Sequence, residues 1–161
     1  MNTEIEKVPF EDKFVLQNLL ELCLHDYSEF ADKDLNSHGL FGYRHLDHYW
    51  TEEGRHAFFV RVSGKLAGFV LVQHHEEGDK TWHSIAEFFI LRKYRSQGIG
   101  KATAIRVFDM FPGAWRVHQE PSNLPAQRFW HKVIEIYTNN NYQQVGEDTG
   151  QALIQEFISP S

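Results

Sequence analysis

The most informative segment of this chain reads Arg95-Ser96-Gln97-Gly98-Ile99-Gly100-Lys101. It lies between the most apolar stretch of the sequence, residues 81–91, and a segment with helical periodicity. A turn from a strand into a helix leaves backbone N–H groups without partners, and the helix dipole favours an anion there. Because its two glycines lack a Cβ, phosphate oxygens can approach the backbone, and its arginine and lysine add positive charge. The segment therefore predicts a pyrophosphate-binding turn.

Two other phosphate-binding loops fit this turn poorly. A dinucleotide-binding fingerprint has a third glycine at the position of Thr103, and a nucleotide triphosphate loop needs a Gly-Lys-Ser/Thr sequence that this chain lacks. A Gly-x-Gly turn alone is often no more than a tight loop, so the interpretation depends on the neighbouring segments. A nucleotide-binding α/β protein stays as a rival hypothesis, which stabilisation by NAD or ATP would support.

The neighbouring segments predict a sheet. Residues 58–62 and 66–72 are rich in β-branched and aromatic residues, and the Ser63-Gly64 link predicts a tight antiparallel hairpin. A turn at residues 74–80 leads into the strand at residues 81–91, which is apolar on both faces and therefore central. We place one apolar set on each face, with Ile85, Phe89 and Leu91 opposite Ala86, Phe88 and Ile90. The remaining strands are predicted at residues 5–8, 115–118, 142–145 and 152–158, the last two joined by residues 147–150.

Apolar residues at three- and four-residue steps predict long helices over residues 16–30, 99–108 and after Asn123. Asn123 is suited to cap the third of these helices, which has Pro125 in its first turn. Residues 31–42 have loop composition, and a short helical stretch follows near residues 46–50. The predicted fold class is therefore α/β, a mixed sheet of six or seven strands, antiparallel at first, with helices on both faces.

Composition narrows the functional classes. The chain has 161 residues, suited to a single domain over residues 1–161, and its net charge of −6 disfavours a nucleic-acid partner. Cys23, the only cysteine, lies in a helical apolar pattern and is interpreted as core packing. A basic leader followed by an apolar segment is missing, as is an apolar run of membrane-spanning length, so we expect a cytoplasmic protein without a membrane partner.

The motif Arg95-x-x-Gly98-x-Gly100 after an apolar strand, together with Asn123, Ala126 and Phe129 downstream, resembles the GNAT superfamily of acetyltransferases. The order of strands and helices extends this resemblance over most of the chain. It implies an N-acetyltransferase that uses acetyl-CoA as co-substrate and an amine as acceptor. It also implies that the central strands splay apart around the cofactor.

The resemblance further implies a set of cofactor contacts. The backbone of Phe89, Ile90 and Leu91 is expected to bind pantetheine, and an N–H near Ile90 to polarise the thioester carbonyl. Asn123 is expected to contact the cofactor arm, although the same residue can serve only as a helix cap. The backbone of the turn is expected to hold the pyrophosphate, and the predicted cofactor site also includes Arg95, Gln97, Gly98, Ile99, Gly100, Lys101, Phe129 and Trp130.

Glu87 is the leading candidate for the general base, because burial in an apolar strand would raise its pKa. A structural pairing with Arg116 or another cation across the sheet is the alternative, and Glu120 and His118 are weaker candidates for the base. Many GNAT enzymes have a tyrosine as general acid at the position of Trp130, whose indole is not a practical proton donor. We therefore leave the acid unassigned, since neither Tyr137 nor Tyr142 is a clear replacement.

The acceptor pocket is predicted from the first helix, the loop over residues 26–43 and the final hairpin. Four acidic residues there either attract a cationic amine or are simply solvated, namely Asp26, Glu29, Asp32 and Asp34. Cys23 is far in sequence from the cofactor turn, so direct transfer in a ternary complex is expected. A catalytically weak acetyl-CoA sensor is the alternative, and the sequence leaves open whether the chain forms a homodimer.

The chain contains ten histidines, including His45 and His48 one helical turn apart and the adjacent pair His74-His75. These histidines have no carboxylate or cysteine partner at a recognised ligand spacing. We therefore predict no metal site.

Overall fold

The computed structural model describes residues 2–146 and 153–161. Seven strands form one sheet in the order β1-β2-β3-β4-β5-β7-β6. The strands are β1 (Thr3–Lys7), β2 (Arg55–Val62), β3 (Lys65–Glu77), β4 (Lys80–Ile90), β5 (Gly113–Gln119), β6 (Gln143–Val145) and β7 (Leu153–Ser159). The helices are α1 (Lys13–Tyr27), α2 (His48–Thr51), α3 (Ile99–Met110) and α4 (Leu124–Thr138).

The sheet is mixed. Strands β1 to β4 form an antiparallel meander, in which the Ser63-Gly64 turn closes the predicted β2–β3 hairpin. Strands β4 and β5 run parallel but share a single register pair, His83 with Trp115, before they diverge. The predicted splay of the central strands is therefore confirmed. Beyond it, β5, β7 and β6 pair antiparallel.

Helices cover both faces of the sheet, as predicted. On one face α3 and α4 pack over a core that includes Val60, Val70, Phe108, Trp115 and Ile134. On the other face α1 and α2 pack over a second core that includes Leu16, Leu20, Phe59, Phe69 and Leu71. These two layers shield both faces of the sheet from solvent. This explains why the sequences of its central strands are continuous apolar runs.

The predicted turn at residues 74–80 is too long. Strand β3 continues to Glu77 and β4 begins at Lys80, so only Gly78 and Asp79 connect them. The ladder includes pairs of His74 with His83 and of His75 with Trp82, and the rings of each pair also lie in contact. Cross-strand ring contacts stabilise a hairpin extension that its polar composition does not suggest.

The predicted faces of β4 are wrong for Ile85 and Ala86, because the strand contains a β-bulge. Leu71 pairs with Glu87 but its neighbour Val72 pairs with Ile85, so Ala86 is an extra residue in the strand. A bulge reverses the alternation of side chains on one side of it. Ile85 therefore packs in the α3–α4 core with Phe88 and Ile90, whereas Ala86 packs on the opposite face with Phe89 and Leu91.

The final hairpin is described only in part. Strands β6 and β7 confirm the predicted pair of strands, but the predicted turn at residues 147–150 lies outside the described residues, as does Ala152. Among the described residues, no helix has the length and hydrophobicity needed to span a bilayer.

Candidate active site

A cleft of about 1220 Å³ opens where β4 and β5 diverge. Its walls come from the end of β4, the C-terminal half of α1, the turn before α3 and the start of α4. Of the predicted site residues, it brings together Glu87, Phe89, Ile90, Arg95, Gly98, Gly100, Lys101, Asn123, Phe129 and Trp130. Leu91, Gln97 and Ile99 do not line the cleft.

The turn before α3 presents unpaired amides. Gly98 is the N-cap, with φ of +80°, a left-handed conformation that favours glycine. The first intrahelical bond runs from the Ala102 N–H to the Gly98 carbonyl at 3.0 Å. The N–H groups of residues 99–101 precede it and have no carbonyl in the helix to bind, and within the described chain no side chain caps them. This arrangement fits the diphosphate of a coenzyme.

Gly100 is also a packing glycine. A Cβ at this position would lie 3.1 Å from Cε1 and 3.3 Å from Cζ of Phe129, on α4. The absence of a side chain lets the start of α3 approach the Phe129 ring closely. The glycine therefore serves the contact between two helices, in addition to the role that the sequence predicts for it at the turn.

The arginines near the turn bind Asp26, at the end of α1. Arg92 Nη2 donates to Asp26 Oδ1 at 2.8 Å and Arg95 Nη2 donates to Oδ2 at 2.5 Å. Burial opposes ionisation of Asp26, but these hydrogen bonds outweigh it and lower the pKa of the carboxyl. Asp26 is therefore paired with cations of its own chain, which makes it less available to a cationic acceptor.

The N–H and carbonyl groups of successive β4 residues point alternately to β3 and to the cleft. The Leu91 N–H donates to the Ala67 carbonyl at 2.7 Å, so this amide is not available to a cofactor. In an antiparallel strand, alternate residues turn both polar groups toward the same neighbour, so those of Phe88 and Ile90 point away from β3. The Ile90 carbonyl accepts from Arg95 Nε at 2.7 Å, which agrees with this direction. Phe88 is a site residue that sequence reasoning missed.

Glu87 extends from β4 toward α1. Burial raises its pKa from 4.5 to about 7, while the Cys23 thiol, Lys33 and the Tyr43 hydroxyl act in the opposite direction. The Cys23 Sγ lies 3.9 Å from Glu87 Oε2. The alternative pairing with Arg116 is wrong, because Arg116 lies 4.0 Å above the Trp82 ring and 3.9 Å from Glu156 Oε1.

Cys23 belongs to the core on the α1 side and is 1% exposed, which confirms its predicted packing role. It also borders the cleft beside Glu87, a proximity that 64 residues of sequence separation conceal. Burial, followed by the nearby Glu87 carboxylate, raises the pKa of the Cys23 thiol far above its usual range. A thiol held in this way is a poor nucleophile.

The α4 residues have structural contacts of their own. The Asn123 Oδ1 accepts from the Ala126 N–H at 3.2 Å, so its predicted capping role is confirmed. Trp130 is 6% exposed, and its ring meets those of Phe88 and Phe129 at 4.9 Å each. The indole therefore forms part of the wall between the cleft and the core.

Three tyrosines, Tyr27, Tyr137 and Tyr142, differ in whether they border the cleft. The Tyr137 hydroxyl donates to Asp109 at 2.6 Å and Tyr142 contacts His131 at 2.9 Å, and neither tyrosine borders the cleft. Tyr27, at the end of α1, does border it, and burial followed by the charge of Glu87 raises its pKa. Tyr27 and Tyr43 both approach Glu87 from segments that sequence reasoning did not connect with β4.

The loop after α1 and the end of β5 also border the cleft, with Glu29, Lys33, His118 and Glu120. Asp32 and Asp34 do not border it. Among the described residues, β6 and β7 contribute nothing to its lining, and β7 pairs with the far edge of β5. The turn of the final hairpin lies outside the described residues, so the participation of this hairpin stays a prediction.

Comparison with known proteins agrees with this geometry. A family model for the acetyltransferase (GNAT) family matches residues 16–134, which include most of α1, the β4 strand, the turn and most of α4. The chain therefore belongs to the acetyltransferase (GNAT) family, whose acetyl donor is acetyl-CoA. No curated protein sequence matches the chain significantly.

Solved structures share the fold at low sequence identity. An acetyltransferase of the GNAT family from Streptococcus agalactiae has a TM-score of 0.72 at 14% identity, over 99% of this chain and 96% of that one. Arabidopsis thaliana Naa50, in complex with the bisubstrate analogue CoA-Ac-MVNAL, has a TM-score of 0.62 at 13% identity, with 98% and 99% covered. Spermidine N-acetyltransferase from Vibrio cholerae, in complex with CoA and spermine, has a TM-score of 0.62 at 12% identity, with 98% and 95% covered.

Proposed function

We propose that this protein transfers the acetyl group of acetyl-CoA directly to an amine in a ternary complex. The observation that carries the proposal is the position of Glu87, a carboxyl with a raised pKa, in the cleft that opens between the splayed strands. A group with a pKa of about 7 accepts a proton readily near neutral pH and is still partly ionised there.

The turn and β4 would hold the acetyl donor. The amides of residues 98–101 would bind its diphosphate, with Lys101 beside them as a cation. The N–H groups of Phe88 and Ile90, which point away from β3, would bind pantetheine and the thioester carbonyl. Asn123, Phe129 and Trp130 border the same cleft and would contact the pantetheine arm.

The reaction needs an unprotonated amine, because an ammonium has no lone pair for attack. Glu87 would take one proton, directly or through a water, as the amine nitrogen bonds to the carbonyl carbon. An N–H donor on β4 would stabilise the negative charge that develops on the carbonyl oxygen. The carbon–sulfur bond then breaks, and the thiolate, with a pKa of roughly 8.5 by analogy with cysteine, takes a proton from solvent.

Direct transfer is favoured over an acetylated enzyme. Cys23 is the only cysteine of the chain and is buried. Its raised pKa keeps the thiol protonated at neutral pH. A thiol nucleophile has to ionise before attack, which the neighbouring Glu87 carboxylate opposes. An acceptor amine that attacks the thioester itself avoids this cost.

The acceptor class is an amine of a small molecule or of a peptide. The neighbours bind acceptors of both kinds, spermine in one structure and a peptide-like bisubstrate analogue in the other. In this chain Glu29 and Glu120 would attract a cation, whereas Lys33 reduces the negative potential beside Glu87. We propose an acceptor that carries a limited positive charge.

The test is release of free coenzyme A thiol in the presence of polyamines, aminoglycosides and peptides with free N-termini. Release that depends on one acceptor class, together with a product heavier by one acetyl group, supports the proposal. Acetyl-CoA binding without acceptor-dependent release from any class would favour the sensor alternative. Thermal stabilisation by NAD or ATP and none by acetyl-CoA would favour the nucleotide-binding alternative.

A further inference from the structure

A pair of buried carboxamides lies at the end of β5. Gln119 is the last residue of this strand and is 3% exposed, and Gln155, on β7, is 1% exposed. The Gln119 Nε2 donates to Gln155 Oε1 at 2.7 Å, and the Gln155 Nε2 donates to Gln119 Oε1 at 3.1 Å. These two reciprocal hydrogen bonds fix the orientation of both carboxamides.

Gln119 occupies a position at which the pattern of β5 is apolar. Side chains alternate between the two faces of a strand, and Trp115 and Val117, four and two residues earlier, both belong to the α3–α4 core. Gln119 is buried on the same face of the sheet. Burial of a carboxamide costs free energy unless its polar atoms find partners, and an apolar side chain would pack at this position without that cost. We therefore expect this glutamine to have a role besides packing.

The two carboxamides differ in how many of their hydrogens are used. A side-chain amide has two hydrogens to donate, and its oxygen has two lone pairs that accept. Gln155 uses both hydrogens, since it donates to Gln119 and also to Gln144 Oε1 at 3.4 Å. Within the described chain, the Gln119 side chain donates only to Gln155. Gln119 therefore has one hydrogen and one lone pair left for another molecule.

Gln119 borders the cleft on the side of α3 and α4. Gln155 does not border the cleft, so of the pair only Gln119 can meet a ligand there. Glu87 lies on the opposite face of the sheet, where its Oε2 is 3.9 Å from Cys23 Sγ in the α1–α2 layer. Trp130, on α4, borders the same cleft and belongs to the same core as the neighbours of Gln119. The unused atoms of Gln119 are therefore on the side where we place the acetyl donor, and not on the side of the base.

We propose that Gln119 binds an amide group of the pantetheine arm of acetyl-CoA, and that Gln155 is the positioning residue that orients its carboxamide. The inference rests on the proposed function, in which acetyl-CoA occupies this cleft. Pantetheine contains secondary amides, and each of them has one carbonyl oxygen and one N–H. The free hydrogen and the free lone pair of Gln119 are the complementary groups. A side chain fixed before the ligand arrives loses little freedom when it binds.

The test is calorimetric titration of acetyl-CoA into Gln119→Leu, with Gln143→Leu, at an exposed position of β6, as the matched control. Loss of a neutral hydrogen bond should weaken binding by about three- to tenfold in Gln119→Leu. The fragment 3′-phosphoadenosine 5′-diphosphate lacks pantetheine, so its affinity should not change. In the wild type, the side-chain amide signal of Gln119 in ¹⁵N nuclear magnetic resonance spectra should shift with acetyl-CoA and not with the fragment. Gln143→Leu should bind both ligands as the wild type does.

Gln119→Leu also removes the partner of Gln155, and the double variant with Gln155→Leu separates this effect from the lost ligand contact. Two apolar side chains leave no polar group unpaired, so the double variant should fold but bind acetyl-CoA as weakly as Gln119→Leu. Recovery of wild-type affinity in the double variant overturns the proposal, as does an equal loss for the nucleotide fragment or a Gln119 signal that acetyl-CoA does not move. Failure of the proposed function gives a different result, in which acetyl-CoA binds through Gln119 but no amine causes thiol release. A wild type that binds no acetyl-CoA overturns both.

Discussion

Glu87 borders the cleft, and its pKa is raised by burial. Its strand and its apolar surroundings are evident in the sequence, so the direction of its pKa shift could be predicted. Its partners could not, because Cys23 lies 64 residues away along the chain and Tyr43 belongs to a loop of ordinary composition. Burial follows from local hydrophobicity, whereas contacts between elements depend on how the whole sheet is covered.

Replacement of Glu87 by glutamine should lower kcat by about 10²- to 10⁴-fold, since the amide cannot accept a proton from the amine. The KM for acetyl-CoA should change little. In the wild type, kcat/KM should fall as the pH drops below about 7, and this limb should disappear in Glu87→Gln. Steady-state rates between pH 5 and 9 measure both effects, with Glu77→Gln, at the exposed end of β3, as the control. An intact acid limb in Glu87→Gln would rule out this residue as the base.

Glu87→Gln should lower the activity but increase the stability of the fold. The pKa of Glu87 is raised on folding, so its contribution to stability is fully present below about 4.5 and is lost as the pH rises through about 7. Glutamine resembles the protonated form at all pH values. We expect Glu87→Gln to increase the free energy of unfolding by up to about 3 kcal/mol at pH 8 and to change it little at pH 4. Urea denaturation at the two pH values checks this, and equal effects at both would contradict it.

At the scale of elements, the turn before α3 combines the proposed diphosphate site with a contact between two helices. The sequence predicts that a phosphate can approach the backbone at Gly98 and Gly100. The contact of Gly100 with Phe129 was not, because it depends on the way in which α3 and α4 pack together. The salt bridges from Arg92 and Arg95 to Asp26 likewise span 66 and 69 residues of sequence.

Gly100→Val should weaken acetyl-CoA binding by about tenfold or more, corresponding to about 1.4 kcal/mol, because a branched side chain would enter the turn. Calorimetric titration measures the affinity. A Cβ also meets the Phe129 ring at 3.1 Å, so the double variant with Phe129→Leu separates the two effects. If relief of that contact alone restored wild-type affinity, the glycine would matter for packing and not for the diphosphate.

The pairing of β3 with β4 imposes a further glycine. A Cβ on Gly68 would lie 1.9 Å from the Phe89 carbonyl oxygen, a distance that requires the backbone to move. Gly68→Ala should therefore destabilise the fold by about 2 kcal/mol or more. Gly54→Ala is the matched control, since its Cβ would lie 3.4 Å from the nearest atom, the His74 carbonyl oxygen. Similar unfolding midpoints for the two variants would show that the sheet tolerates the change.

Structural features that depend on a few neighbouring residues were predicted well from the sequence. The Ser63-Gly64 hairpin and the Asn123 cap each depend on a short segment, and both are confirmed. The bulge at Ala86 was missed because an apolar residue fits either face of a buried strand. Only the register with Leu71 and Val72 decides which face it takes.

For the whole molecule, the splay between β4 and β5 is the feature that makes a cleft out of a continuous sheet. The resemblance to a family predicted this splay, and the single register pair between the two strands confirms it. The acceptor side could be predicted less well. The side of the cleft on which we propose that the acceptor binds is lined by α1, the loop after it and the end of β5. The sequence predicted the first two of these segments, but no local pattern brings the end of β5 next to them.

A crystal structure of the chain with acetyl-CoA tests the central claim most directly. The account predicts diphosphate oxygens within hydrogen-bonding distance of the amides of residues 98–101, and the thioester carbonyl against the N–H of Phe88 or Ile90, on the side that Glu87 borders. Acetyl-CoA bound elsewhere, with no phosphate at this turn and no thioester between β4 and β5, would contradict the account.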